Sequence, residues 1–176
     1  MDQGLAAILG AAVGAIATGT AALVTAMSAS RLNKNKARQE ACLAYLTLVA
    51  RIRVALVDLS RHFRPDLTDL YEPLDAATAR ARTADIDAQY HELITEHAVL
   101  MLAGPRRVYR QAVRTTDLVA EPLTLATRWS ASQEPSPAAS PAPSAVTSEQ
   151  LQAFDRAMAA LAQGLAQFAD TAREST

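Results

Sequence analysis

CLAYLTLVARIRVALVDLSRHF, residues 42–63, places Cys42, Tyr45, Val49, Ile52, Leu56, Leu59 and Phe63 at alternating steps of three and four. On a helix of 3.6 residues per turn such steps keep one narrow apolar stripe on one side, the pattern of a coiled-coil seam. A half-buried strand would alternate every second residue, which this stretch does not. No Pro or Gly falls between Thr20 and Arg64, so the helix can run back toward the N-terminus as a single rod. Pro65 is expected to stop it, because a proline pushes the preceding residue out of helical geometry. Residues 66–73 then read as a loop.

N-terminal to the seam stands a basic collar, Arg31, Lys34, Lys36 and Arg38, and before it the 28 residues 3–30 contain no charged side chain. At about 1.5 Å rise per residue, a helix of that length exceeds the roughly 30 Å hydrocarbon core of a bilayer. Leu5, Ile8, Leu9, Val13, Ile16, Leu23 and Val24 favour insertion, while the interspersed Gly, Thr and Ser oppose it. Ala26-Met27-Ser28 could serve as a small-x-small cleavage site, but the run is preceded by Asp2 without a basic residue and followed at once by the collar. An uncleaved anchor is therefore expected over residues 5–29, with the N-terminus outside and the C-terminus cytoplasmic by the positive-inside rule. Ala6, Gly10, Gly14, Thr18, Ala22 and Ala26 recur every four residues. Such a groove lets two helices approach closely, so Gly10 and Gly14 are the expected contact of a homodimer within the membrane. The collar is placed to meet anionic lipid as well as to set topology.

C-terminal to the loop, a second helix starts between residues 74 and 85 and carries Ile86, Tyr90, Leu93, His97 and Leu100 on one side. Gly104-Pro105 ends it, with glycine suited to a left-handed position and proline opening the next helix. The third helix turns Val108, Ala112, Val113, Leu118 and Leu123 inward, and Pro122 is expected to kink or divide it near Glu121. Residues 131–147 are nearly all Ala, Ser and Pro, which cannot build a core and read as a disordered linker. Thr147 and Gln150 then resemble a capping box, and Leu151, Phe154, Met158, Leu161, Leu165 and Phe168 form a further seam. This last helix either completes a bundle or stays free for a partner.

Chemistry is sparse. His91-Glu92 and Glu96-His97 suggest metal ligands, but a His-Glu-x-x-His motif needs histidine at Thr95, and its inverted form needs one at Leu93. The Glu-x-x-His pattern of di-iron bundles meets Thr95 and Val99 instead. The single cysteine, Cys42, sits on the seam, where a small buried residue is the default, and no Gly-rich elbow or phosphate loop surrounds any serine. No catalytic, cofactor-binding or metal site is expected, and no enzymatic activity. Residues 31–64 carry eight basic and two acidic side chains, and residues 65–100 two basic and eight acidic ones, which suggests helices facing one another. Arg106, Arg110 and Arg114 line one face of the third helix with Arg107 beside them. They are expected to pair with Asp85, Glu92 and Glu96, Arg114 coming opposite Glu96, ahead of contact with anionic lipid and of binding nucleic acid. Few aromatics accompany them, which argues against base stacking.

The expected fold is all-α, one N-terminal transmembrane helix followed by a small antiparallel helical bundle. Its divisions are a short extracytoplasmic N-terminus at 1–4, the span at 5–29, a basic juxtamembrane segment at 30–41, a helical domain at 42–130, the linker at 131–147 and an amphipathic helix at 148–173. The short acidic start, the Gly/Ala-rich stretch 5–29, the collar and the Gly104-Pro105 break resemble small membrane proteins of actinobacteria such as streptomycetes. That resemblance implies a single-pass topology and transfers no functional residue. The expected role is a non-enzymatic, single-pass protein of the cell membrane that presents a helical interaction domain at the cytoplasmic face. Its expected partners are membrane lipid, a second copy or another protein. A small membrane-active or pore-forming protein, and a membrane-tethered nucleic-acid-binding module, are the rival readings.

Overall fold

A computed structural model describes the backbone of residues 3–67, 69–72, 74–132 and 146–175, and side chains from residue 32 onward. Four helices form: α1 (Gln3–Arg61), α2 (Ala76–Ala103), α3 (Arg106–Ser132) and α4 (Ser148–Arg173), with a 3-10 turn at Pro65–Leu67. Two sets of contacts fix their directions. At one end Arg38 of α1 donates from Nε to the Ala103 carbonyl at 3.3 Å and from Nη1 to the Ser175 carbonyl at 2.8 Å. At the other end Arg82 of α2 pairs with Asp58 at 2.9 Å, and Arg64 pairs with Asp155 of α4. The helices therefore run up, down, up and down. Within this bundle α2 packs on both α1 and α3, α4 packs chiefly on α3, and α1 meets α3 and α4 more sparingly.

The seam predicted on α1 is the spine of the core. Tyr45, Val49, Ile52, Leu56, Leu59 and Cys42 are buried, with Ala41 and Leu48 beside them, and Phe63 is half-buried against the same cluster. Each fully buried Leu or Ile contributes about 1.5–3 kcal/mol relative to an exposed one. The helix stops at Arg61, four residues before Pro65, where the chain tightens: His62 donates to Leu59 and Phe63 to Ser60. Such i→i+3 bonds satisfy carbonyls that an α-helix end leaves open.

Asp75 caps α2, its carboxylate accepting from the Thr78 amide at 2.9 Å and the Thr78 hydroxyl at 2.7 Å. These bonds, the hydroxyl's first, hold the Asp75 carboxyl below its usual pKa. Ile86, Leu93 and Leu100 are buried, as their spacing predicts, whereas Tyr90 and His97 are half-buried. Gly104 does not take the left-handed conformation expected of it: φ is −109° and ψ 165°, an extended geometry. Space is what suits glycine here. Its amide donates to the Leu100 carbonyl at 2.9 Å, and a Cβ would stand 3.1 Å from that oxygen.

Pro122 does not divide α3, which continues ten residues past it to Ser132. Proline forfeits one backbone hydrogen bond and crowds the preceding turn, but the stripe Val119, Leu123, Ala126 and Trp129 is buried on both sides of it. Packing across the break thus holds the helix together. Residues 131 and 132 thus belong to α3, and residues 133–145 of the expected linker lie outside the described residues. The Thr147–Gln150 capping box forms, with bonds of 2.8 and 3.2 Å. The fourth helix does not stand free, because Leu151, Phe154, Met158, Leu161 and Phe168 are buried in the common core.

All described elements are helical, as expected. Among the residues with described side chains, no helix is long and apolar enough to cross a membrane. The stretch 5–29, Gly10, Gly14 and Arg31 lie outside those residues.

Gly164 sets the closest approach of α4 to α3: a Cβ there would meet Leu118 Cδ1 at 2.6 Å, and its carbonyl accepts from Thr115 Oγ1 at 3.2 Å. The Leu118 methyl can swing aside for one carbon, and alanine is intrinsically the better helix former by about 1 kcal/mol. Gly164→Ala should therefore leave stability near that of the parent. Gly164→Val should lower it by about 1–3 kcal/mol through overpacking, read as a shifted urea midpoint.

Candidate functional site

The largest buried polar cluster spanning helices centres on Tyr45, which projects from α1 into the middle of the bundle with no solvent exposure. Its hydroxyl donates to the Ala112 carbonyl at 2.7 Å and lies 2.9 Å from Thr116 Oγ1, which in turn lies 2.7 Å from Nε2 of His97. A carbonyl only accepts, so the Tyr45 proton is committed to Ala112 and Thr116 must donate to Tyr45. His97 must then donate to Thr116 from a protonated Nε2. The order His97, Thr116, Tyr45, Ala112 is a one-way chain of donors through α2, α3 and α1. Around it the Tyr45 ring stacks on His97 at 5.8 Å and tilts against Phe168 of α4 at 4.6 Å, and Tyr109 meets His97 edge-on at 6.2 Å.

Burial pushes the Tyr45 phenol well above its usual pKa despite its hydrogen bonds. It holds the His97 imidazole below its ordinary value of 6.5, outweighing the opposing effects of the Ala112 backbone and Asp117. Burial also raises the Cys42 thiol, with Arg38 pulling weakly the other way. A neutral thiol with 5 % exposure is a packing group, not a nucleophile. The chain of donors joins three helices, and its work is to fix their register.

The remaining histidines and the arginines divide differently from the sequence reading. His62 is half-buried: Nδ1 stands 2.8 Å from the Glu72 carbonyl and Nε2 3.4 Å from Arg82. His91 is exposed beside Asp87. Among the described residues, no three His, Cys, Asp or Glu side chains converge where they could hold a metal ion. The pairing expected between α2 and α3 does not form, for Arg114 does not reach Glu96, and neither Arg106 nor Arg110 makes an ion pair among the described residues. Arg107 turns instead to Glu174, 3.8 Å away, and to the Glu174 carbonyl at 2.8 Å. The bridge between α1 and α2 has reversed polarity, the basic helix giving Asp58 and the acidic one Arg82. Of the collar, Lys34 and Lys36 are exposed and Arg38 is turned into the bundle.

Two polar features leave no trace in the spacing of the sequence. Thr83 of α2 and Ser130 of α3 meet at 2.7 Å in a buried pair, each also bonded to its own preceding turn. Trp129, 2 % exposed, is wedged between Phe63 and Phe154, its indole N–H without a hydrogen-bond partner among the described residues. No protein family, no curated protein and no solved structure matches the chain.

Because the unfolded chain takes up the His97 proton first as pH falls, this residue's contribution to stability is complete above about pH 6.5 and is lost on acidification toward its folded value. The urea midpoint should drop as the pH falls below about 6.5, and His97→Gln should flatten that drop. Tyr45→Phe should cost about 1–3 kcal/mol at neutral pH, because it removes two buried hydrogen bonds, to the Ala112 carbonyl and to Thr116.

Proposed function

We propose that the chain is a non-enzymatic, single-pass membrane protein, its helical bundle presented at the cytoplasmic face to hold a second copy of itself. What supports the reading is a second stripe on α1. Leu43, Thr47, Ala50, Val54, Val57 and Arg61 follow steps of four and three along the outer flank of the helix, with Leu43 65 % and Val54 66 % exposed and Val57 half-buried against the core. These residues line a shallow depression of about 770 Å³ that begins at Thr47 and is bordered by Arg51, Arg53 and Asp58.

Two parallel copies of α1 would lay these stripes together as a coiled coil. In that register Arg53, which has no ion-pair partner among the described residues, comes opposite Asp58 of the second copy, five positions on. Parallel alignment is also what two anchors in one membrane impose. The uncharged stretch 5–29 continues directly into this helix, so pairing at Gly10 and Gly14 and pairing at Val54 belong to one rod.

Two measurements test the reading. The full-length chain should stay in the pellet after carbonate extraction of membranes, with reporters placing its C-terminus in the cytoplasm; its release into the supernatant would remove the anchor. With Cys42→Ala, Val54→Cys should give a disulfide-linked dimer on mild oxidation in membranes, whereas cysteine at the opposite-facing, buried Leu56 should not. Equal crosslinking at both positions, or none at Val54, refutes the α1 pairing.

A further inference from the structure

Six of the eight exposed large apolar residues among the described side chains, Leu32, Leu43, Ile94, Val99, Met101 and Leu102, lie in the half of the bundle nearest the collar. The turn between α2 and α3 is the extreme case, with Met101 57 % and Leu102 85 % exposed. Chance exposure at a loop tip would favour polar residues; here the tip is Val-Leu-Met-Leu-Ala-Gly-Pro, residues 99–105, followed at once by Arg106 and Arg107. Arg106, Arg110 and Lys34 make no ion pair among the described residues; Glu40 and Glu174 are paired, with Lys36 and Arg107, and Glu96, seven residues before Ala103 on α2, is not.

Arg38 fixes where this tip stands. By bonding the Ala103 carbonyl it holds the turn level with the last residue of the collar, nine positions beyond Ala29. Along a straight helix that is about 13 Å, of which the headgroup layer accounts for roughly 5–8 Å. A tilt of about 20°, ordinary for a membrane helix, acting over the roughly 8–10 Å between packed helix axes lowers the tip by a few Å. Long side chains reach the remainder.

We propose that the α2–α3 turn is a second membrane contact, Met101 and Leu102 entering the headgroup boundary of the leaflet from which α1 emerges, with Arg106 and Arg110 on its anionic lipids. This rests on the anchored reading of α1 and adds an orientation to it: the bundle leans on its α2–α3 edge. Apolar side chains flanked by unpaired cations suit an anionic lipid surface, where both find their medium. The same surface would leave the outer stripe of α1 open to a second copy.

The test uses the full-length chain, Cys42→Ala, carrying a polarity-sensitive fluorophore at Leu102→Cys or, as control, at Leu70→Cys, 76 % exposed at the opposite end. Vesicles contain phosphatidylcholine with or without phosphatidylserine, and nitroxide-bearing lipids serve as quenchers. Quenching at position 102 should exceed that at 70 several-fold with phosphatidylserine present. Arg106→Gln with Arg110→Gln should bring it toward the phosphatidylcholine value. Equal quenching at 102 and 70 in a chain that still floats with the vesicles overturns the docked turn and leaves the anchor standing; a chain that does not float overturns both. Backbone hydrogen exchange of residues 98–107 in the unlabelled chain probes the same contact without substitution, slowing in anionic vesicles if the turn docks and unchanged if it does not.

Discussion

Tyr45 touches every other helix of the bundle, and the arrangement of the rest follows from burying it. Its hydroxyl is bound to the backbone and to Thr116 of α3, its ring lies on His97 of α2, and its other side meets Phe168 of α4. A phenol without solvent contact requires a partner for its proton, since an unsatisfied buried hydroxyl costs as much as several good packing contacts contribute. The apolar seam of α1 could be covered in many rotations of the surrounding helices. Only rotations that bring the Ala112 carbonyl and Thr116 to Tyr45 satisfy the hydroxyl, so the polar chain selects one register from a set that hydrophobic burial leaves nearly equal.

Electrostatics plays a lesser part in that selection than the charge blocks of the sequence suggest. Most ion pairs join exposed side chains, several of them within one helix, and such pairs contribute little each. The inter-helix bridges sit at the two ends, Arg82–Asp58 and Arg64–Asp155 at one and Arg107–Glu174 at the other, and close the bundle without specifying its middle. Arg38 has a structural task of the same kind, gathering the ends of α2 and α4 against α1. Among the described residues Arg51 and Arg53 of α1 and Arg106, Arg110 and Arg114 of α3 make no ion pair, and the functional readings draw on the surfaces of these two helices.

Those surfaces are compatible because they occupy different sides of one rod. In the proposed reading the outer stripe of α1 would serve association between copies, and the α2–α3 edge orientation at a membrane. The half-buried His97 joins the helices that carry them, bonded to Thr116 of α3 and stacked on Tyr45 of α1. The core linking the two surfaces is therefore least stable where protonation of that imidazole is most favourable.

Helix positions and their inward faces were legible in the sequence, because spacing of three and four, the Thr147–Gln150 cap and the Gly104-Pro105 break are local signals. Where reading along the chain failed, a distant contact outweighed a local preference. Pro122 should break α3, yet Trp129 and Ala126 beyond it are held by Phe63, Phe154 and the rest of the core. Gly104 should turn left-handed, yet it is extended at a turn joined to Arg38 of a helix sixty-five residues away. The sequence by itself determined an all-helical chain with an uncharged opening and one seam per helix, since these depend on side-chain order alone. Tertiary structure alone decided that α4 closes the bundle, that His97 joins Tyr45 through Thr116, and that Arg38 points inward, since each depends on which turns of different helices come to lie at the same height.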